Sequence, residues 1–268
     1  MATYELGFIG TGNMGGALVQ AVCKVADPKS VLLANRTRAK AEALAQRFGC
    51  AVGTNEEVAA QCRYIFLGVK PQMMAETLAP LQETLLFRKD PFVLVSMAAG
   101  LTMEKISALA GGSFPVIRIM PNTPCSVGAG LTNYTANSAV TPDALETFLH
   151  YLSASGTLDP LDESLIEAAT AIAGCGGAYI LQIMEGLADG GVACGLPRAK
   201  ALLYAAQMIQ GTGKLALETG LHPGVLKDQV CSPGGSTIQG VRVLEERGVR
   251  GAMMDAVIAA WQRGKELG

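Results

Sequence analysis

Two glycine-bearing stretches at opposite ends of the chain hold the residue types suited to binding anions. The first is Gly10-Thr11-Gly12-Asn13-Met14-Gly15, with the spacing G-x-G-x-x-G. It follows the apolar run "YELGFI" (4–9) and leads into "GALVQAVC" (16–23), so strand, turn and helix are expected in succession. In that setting the first glycine allows a tight turn and the second lets backbone approach a pyrophosphate. The third lets helix pack on strand, with the phosphates at the helix N-terminus. The second stretch is "SPGGSTIQG", Ser232 to Gly240. Successive amides around Gly234, Gly235, Ser236 and Thr237, at the start of a helix, make an anion nest backed by the helix dipole. Such a mouth holds a carboxylate without a salt bridge, and the Ser236 and Thr237 hydroxyls offer hydrogen bonds to a neighbouring nitrogen or oxygen. The residues alone leave open an ordinary Ser-Pro-Gly turn capped by Ser236.

The type of dinucleotide is written after the second strand. An acid there binds the adenosine ribose of NAD, but this chain reads Asn35-Arg36-Thr37-Arg38, with no carboxylate. Two guanidiniums and a hydroxyl suit a 2′-phosphate, so NADPH is expected to be preferred over NADH. Arg36 can also stack on the adenine; the plainer reading has Arg36 and Arg38 open a solvated helix. "GVKP" (68–71) and "SMAAG" (96–100) close two further strands at the carboxyl edge, where open α/β sheets bind ligands. Lys70 is therefore expected at the cofactor, with a surface lysine as the alternative.

The elements that must position these groups fall into two classes. "YELGFI", "VLLAN" (31–35), "YIFLGV" (64–69), "FVLVSM" (92–97) and "PVIRIM" (115–120) are continuous apolar runs, as in strands covered on both faces. Helical patterns such as 38–48 and 73–86 lie between them, which implies a doubly wound parallel sheet. "GLTNYTA" (130–136) is expected as an edge strand, before a helix begun by Thr141-Pro142. From Asp162 the pattern is helix upon helix, near 163–173, 178–194, 197–219, 222–230, 237–247 and 250–266. The expected organisation is therefore 1–160, a dinucleotide-binding α/β domain, and 161–268, an all-α domain.

Composition narrows the classes of function. Of the 268 residues 50% are hydrophobic and 16% charged, with a net charge of −2, which gives no footing for nucleic acid. The apolar surplus belongs either to a large core or to an oligomer interface. No uninterrupted apolar run reaches the roughly 18 residues of a membrane span, and the first residues lack the basic region of a secretory signal; no membrane partner is expected. Seven scattered cysteines without a C-x-x-C point to reduced thiols and the cytoplasm, and two histidines leave no metal site in prospect.

Beyond these readings, "DGGVACGLPRAKAL" (189–202) and "HPGVLKDQVCSPGGSTIQGVRVLEERGVRGAMMDAV" (222–257) resemble the signature of the pyrroline-5-carboxylate reductase family. "GFIGTGNMG" (7–15), "GVKP" and "RIMPNTP" (118–124) resemble that family's other motifs, in the same order. The resemblance covers essentially the whole chain. It implies an N-terminal Rossmann-type domain, a C-terminal helical domain that dimerises, and assembly into decamers in part of the family. It implies the last step of proline biosynthesis, reduction of the imine of 1-pyrroline-5-carboxylate to L-proline by NAD(P)H. Thr237 then falls on the threonine that hydrogen-bonds the ring nitrogen, and Ser232, Gly235 and Ser236 on positions that hold the carboxylate. Glu163 falls on an acidic position at the substrate site. Cofactor contacts fall on Gly10, Thr11, Gly12, Asn13, Met14, Asn35, Arg36, Thr37, Asn55, Val69, Lys70, Pro71 and Ala99. The chain departs from the family's S-G-S-G-P-A at Ala173-Gly174-Cys175-Gly176-Gly177-Ala178, which puts a hydroxyl contact and the rigidity of that turn in doubt.

Two rival readings suit the residues less well. A β-hydroxyacid dehydrogenase shares the opening motif but needs a lysine four residues beyond the G-x-G glycine, where this chain has Ile180 and no lysine between Lys105 and Lys200. A non-enzymatic NADPH-sensing protein would need no second glycine loop.

Overall fold

The computed structural model describes residues 3–266. Its sheet has the order β3-β2-β1-β4-β5-β6-β7-β8, formed by β1 (Tyr4–Ile9), β2 (Val31–Ala34), β3 (Ala51–Val52), β4 (Cys62–Leu67), β5 (Val93–Ser96), β6 (Val116–Met120), β7 (Gly130–Ala136) and β8 (Gly156–Pro160). All neighbours pair in parallel except β6 and β7. The register carries one row across the centre, Ala34, Ile9, Leu67, Ser96 and Arg118. The residues just after Ala34, Ile9, Leu67 and Ser96 lie along the carboxyl edge.

Helices α1 (Asn13–Val22), α2 (Arg38–Phe48), α3 (Asn55–Gln61), α4 (Met74–Leu78), α5 (Gln82–Phe87), α6 (Met103–Leu109) and α7 (Pro142–Leu152) cover the sheet. Alternation within the strands divides the core. In β4, Tyr64 and Phe66 join Phe8, Leu18, Val19 and Phe148 on one face. Ile65 and Leu67 join Val58, Met74, Leu78 and Ile106 on the other. Phe8 and Phe66 stack with centroids 4.4 Å apart. Each such side chain, fully withdrawn from water, contributes about 1.5–3 kcal/mol.

The structure differs from the sequence expectation at three places in this half. The run 73–86 is not one helix: 3-10 turns at Pro71–Met73 and Ala79–Leu81 flank α4, because Pro80 cannot continue an α-helical ladder. The strand 130–136 is not an edge, since β8 pairs outside it. β3 and β8 are absent from the sequence reading because two residues carry no period and "GTLDP" has one large apolar side chain.

After Pro160 the described residues hold no further strand. They form α8 (Ile166–Ala169), a π turn at Thr170–Gly174, then α9 (Gly176–Ala193), α10 (Arg198–Thr219), α11 (Pro223–Val230), α12 (Ser236–Glu246) and α13 (Val249–Glu266). Small helix-opening devices set these boundaries. His222 Nδ1 accepts the Gly224 N–H at 3.1 Å and opens α11, while Gly220 ends α10 in the left-handed region at φ 62°.

Compactness divides the chain differently from secondary structure. One unit runs to Gly174 and takes in the chain again from Trp261; the other is Cys175–Ala260. The first helical residues stay with the sheet for a physical reason. Ile166 is fully buried there, and Glu163 and Glu167 pair with the buried Arg118 of β6. The second unit hides little of itself: its buried hydrophobic residues, among those described, are Ala188, Ala201, Ala205 and Leu226. Leu181, Leu203, Tyr204, Leu217, Val230 and Met254 are all more than half exposed. The run Glu163–Ala193 also holds an 18-residue stretch apolar enough to cross a membrane by length and composition, with a mean hydropathy of 1.4.

Candidate functional site

The order of the strands makes a switch point between β1 and β4, since the chain leaves β1 for β2 on one side and later returns to β4 on the other. Ligands of open α/β sheets bind outside the carboxyl ends at such a crevice. Gly10 and Gly68 follow these two strands and nearly touch. A Cβ on Gly10 would lie 2.6 Å from the Gly68 carbonyl oxygen, and one on Gly68 would lie 2.5 Å from that of Gly10. Gly10 also takes φ 100°, which a side chain disfavours. Gly15 is equally confined, since its Cβ would meet the Gly10 oxygen at 2.3 Å. Gly12 is the opposite case: a Cβ there would meet nothing within 4 Å. The turn is thus closed on the protein side and open on the outer side, the shape a pyrophosphate needs.

The start of α1 has no side-chain cap and no acid in its first turn, so its amides and positive dipole end remain for an anion. Thr11 is buried and its Oγ1 has no partner among the described residues. A buried hydroxyl left unpaired costs about 1–3 kcal/mol, so a ligand atom fits there. The Thr11 N–H donates to Asn35 Oδ1 at 3.0 Å, and Asn35 Nδ2 donates to the Thr37 carbonyl at 2.9 Å. Asn35 therefore shapes the glycine turn and the end of β2 together. Arg38 is taken by Glu42 at 2.9 Å. Exposed Arg36 has no ion pair among the described residues, and the Thr37 hydroxyl makes no cap bond to α2. Asn55 opens α3 beyond β3, with Thr54 and Glu57 forming a reciprocal capping box. Val69, Lys70 and Pro71 follow β4, and Ala99 follows β5. All thirteen expected cofactor positions thus lie in one unit along one edge of the sheet, and NADP(H) fits them.

Four expected substrate positions, Ser232, Gly235, Ser236 and Thr237, lie in the helical unit at the mouth of α12. Gly234 takes φ 69°, and the Gly235 N–H donates to the Ser232 carbonyl at 3.0 Å. A Cβ on Gly235 would lie 2.4 Å from Ser232 Oγ. Ser236 is the first residue of α12 rather than its cap. Gly235 is the cap, with no side-chain bond to the first-turn amides, and that mouth can take an anion. Glu163 lies instead in the sheet unit. Its Oε1 accepts the Met103 N–H at 2.7 Å and faces the Arg118 guanidinium at 3.4 Å.

At the departure from the family pattern, Cys175 caps α9 beside Tyr179. Burial and that thiol raise the Tyr179 phenol above its ordinary value, and its hydroxyl donates to the Ala256 carbonyl at 3.3 Å. Gly177 is the second residue of α9, where a proline would fit. A Cβ there meets nothing within 4 Å, so packing within the unit does not demand glycine.

Arg118 and Glu167 escaped sequence reasoning as site-forming residues, and Gly68 entered it only as the first residue of "GVKP". The one signal was an arginine inside the apolar run "PVIRIM", a charge that burial obliges to find acids.

An open parallel sheet with a glycine turn at its switch point, followed by a helical unit, is the architecture of a two-part nucleotide-dependent oxidoreductase. Comparison with known proteins sharpens the class. A family model described as pyrroline-5-carboxylate reductase dimerisation matches residues 163–267, and one described as NADP oxidoreductase, coenzyme F420-dependent, matches residues 5–100. Pyrroline-5-carboxylate reductases of Escherichia coli and Synechocystis are 39% and 40% identical over 266 and 270 residues, covering 98% of this chain and 98% of each relative. The crystal structure of Plasmodium falciparum pyrroline carboxylate reductase with NADP bound superposes with a TM-score of 0.89 at 29% identity, over 100% of this chain and 99% of that one. The Coxiella burnetii reductase gives 0.87 at 32% identity, over 99% of both chains. The chain belongs to the pyrroline-5-carboxylate reductase family.

Arg36 offers the cleanest test of the cofactor edge. Replacing it with alanine is expected to lower the ratio of kcat/KM for NADPH over NADH by roughly tenfold, the worth of one charge-assisted hydrogen bond. An unchanged ratio would remove Arg36 from 2′-phosphate recognition.

Proposed function

We propose that this protein reduces the C=N bond of 1-pyrroline-5-carboxylate to give L-proline, with NADPH preferred over NADH. The observation that carries the reading is the presence of two uncapped, glycine-opened helix mouths, one in each unit, within a chain that matches this family over its whole length. When bound, the reduced nicotinamide supplies a hydride to the imine carbon.

The protein's own part is positioning. The amides of Gly235, Ser236 and Thr237 and the Ser232 hydroxyl hold the substrate carboxylate at the positive end of α12. The Thr237 hydroxyl hydrogen-bonds the ring nitrogen, which is protonated in the better hydride acceptor and becomes the amine of the product. No strong base is required of the chain, in keeping with its two histidines. Glu163 is assigned to the substrate side by its place in the family motif. Its bonds to Met103 and Arg118 support a role in holding local structure as well.

The helical portion, from about residue 161, is proposed to bind substrate and to dimerise, with decamers as a further level of assembly. The dimerisation family model over residues 163–267 supports coverage of its exposed leucines by a second copy, and the seven free thiols support a cytoplasmic setting. Sedimentation in detergent-free buffer is expected to give a dimer or a multiple of dimers. A monomer, or a protein soluble only in detergent, would contradict this assignment.

Purified protein is expected to oxidise NADPH only when pyrroline-5-carboxylate is added. Thr237→Ala should lower kcat/KM roughly tenfold or more, about 1.4 kcal/mol of transition-state stabilisation. Turnover near wild type in that variant would take Thr237 out of the mechanism.

A further inference from the structure

Arg118 stands within β6 opposite Ser96 of β5, with its side chain only 3% exposed. A guanidinium stays charged at any pH the fold survives, so its burial demands partners. Both partners come from the segment after the sheet, Glu167 at 2.5 Å and Glu163 at 3.4 Å. Neither carboxylate stops at the arginine. Glu167 Oε1 also accepts the Gly100 N–H at 3.0 Å, and Glu163 Oε1 accepts the Met103 N–H. Gly100 presents that N–H from a left-handed conformation, φ 75°. One buried cation thus fixes two anions, and the anions fix the loop from β5 into α6 at two points.

That loop carries Ala99. In the strand order β2-β1-β4-β5 it lies on the opposite side of the glycine turn from Arg36 and Thr37. A dinucleotide laid across the switch point with its 2′-phosphate at the end of β2 therefore brings its nicotinamide half toward the end of β5. Arg118 spends both terminal nitrogens on the two carboxylates, and its buried Nε alone lacks a partner among the described residues.

We propose that Arg118 and Glu167 are positioning residues for the nicotinamide end of the cofactor: the arginine holds the carboxylate, the carboxylate holds the Gly100 N–H, and Gly100 sets Ala99. The inference rests on the reading of Ala99 as a cofactor contact.

The test compares NADPH with 2′-phospho-ADP-ribose, which lacks the nicotinamide, by titration calorimetry on the full-length protein. Glu167→Ala is expected to weaken NADPH about fivefold or more and to lower kcat similarly, while the fragment binds within about twofold of wild type. Glu167→Gln, which keeps an oxygen in reach of the Gly100 N–H, is expected to recover most of the loss. Gly100→Ala leaves the ion pairs in place but disfavours the positive φ. It should give the same selective loss even if Glu167→Ala does not fold. Equal weakening of both ligands, or of neither, overturns the inference. Absence of substrate-dependent NADPH oxidation in the wild type would instead sink the functional reading, and the two binding titrations would still judge the loop.

Discussion

Between Gly10 and Gly68 there is no room for a methyl group, and most of the sheet unit is arranged around that approach. The Gly10 N–H reaches the Ala34 carbonyl at 2.9 Å and the Gly68 N–H reaches that of Ile9 at 2.8 Å, so three strand ends are tied through two glycines. Gly15 brings α1 down onto the Gly10 carbonyl. Close packing on the inner side leaves the outer side of the turn, at Gly12, bare. A nucleotide site here is a consequence of backbone crowding, with side chains such as Asn35 adjusting its rim.

The helical unit follows another logic. It is rich in alanine and glycine, buries little large apolar surface of its own, and leaves leucines exposed along α10, which would be costly in an isolated unit. Exposure at this level is in keeping with the dimerisation family model that matches residues 163–267. The proposed substrate mouth lies at the start of α12 in the same unit.

Much of this was legible in the amino-acid order. β1, β2, β4, β5 and β6 announce themselves as unbroken apolar runs because both faces of a parallel sheet are covered. Prolines and glycines punctuate the second half so firmly that α9 to α13 could be bounded within a few residues. Three kinds of information were hidden. Strands such as Ala51–Val52 and Gly156–Pro160 are held by pairing with a neighbour rather than by their own pattern. Pro80 breaks a stretch whose apolar spacing reads as one helix. The Arg118 network joins residues 45 and 49 positions apart, and no local rule links an arginine in a strand to the acids that neutralise it. For the same reason the class change near 160 is readable, whereas the boundary of the compact unit near 174 depends on those long-range pairs. The substrate roles proposed for Ser232, Gly235, Ser236 and Thr237 rest on motif likeness, and the start of α12, without a side-chain cap bond, leaves room for them.

The central claim is that one glycine-opened helix start anchors the nucleotide while another grips a small ring-bearing acid. A crystal structure with NADP and L-proline both bound tests it most directly. The account predicts the proline carboxylate on the amides of 235–237, with the ring nitrogen at the Thr237 hydroxyl and the neighbouring ring carbon facing the nicotinamide. A ring bound elsewhere, or those amides turned only to solvent, would contradict it.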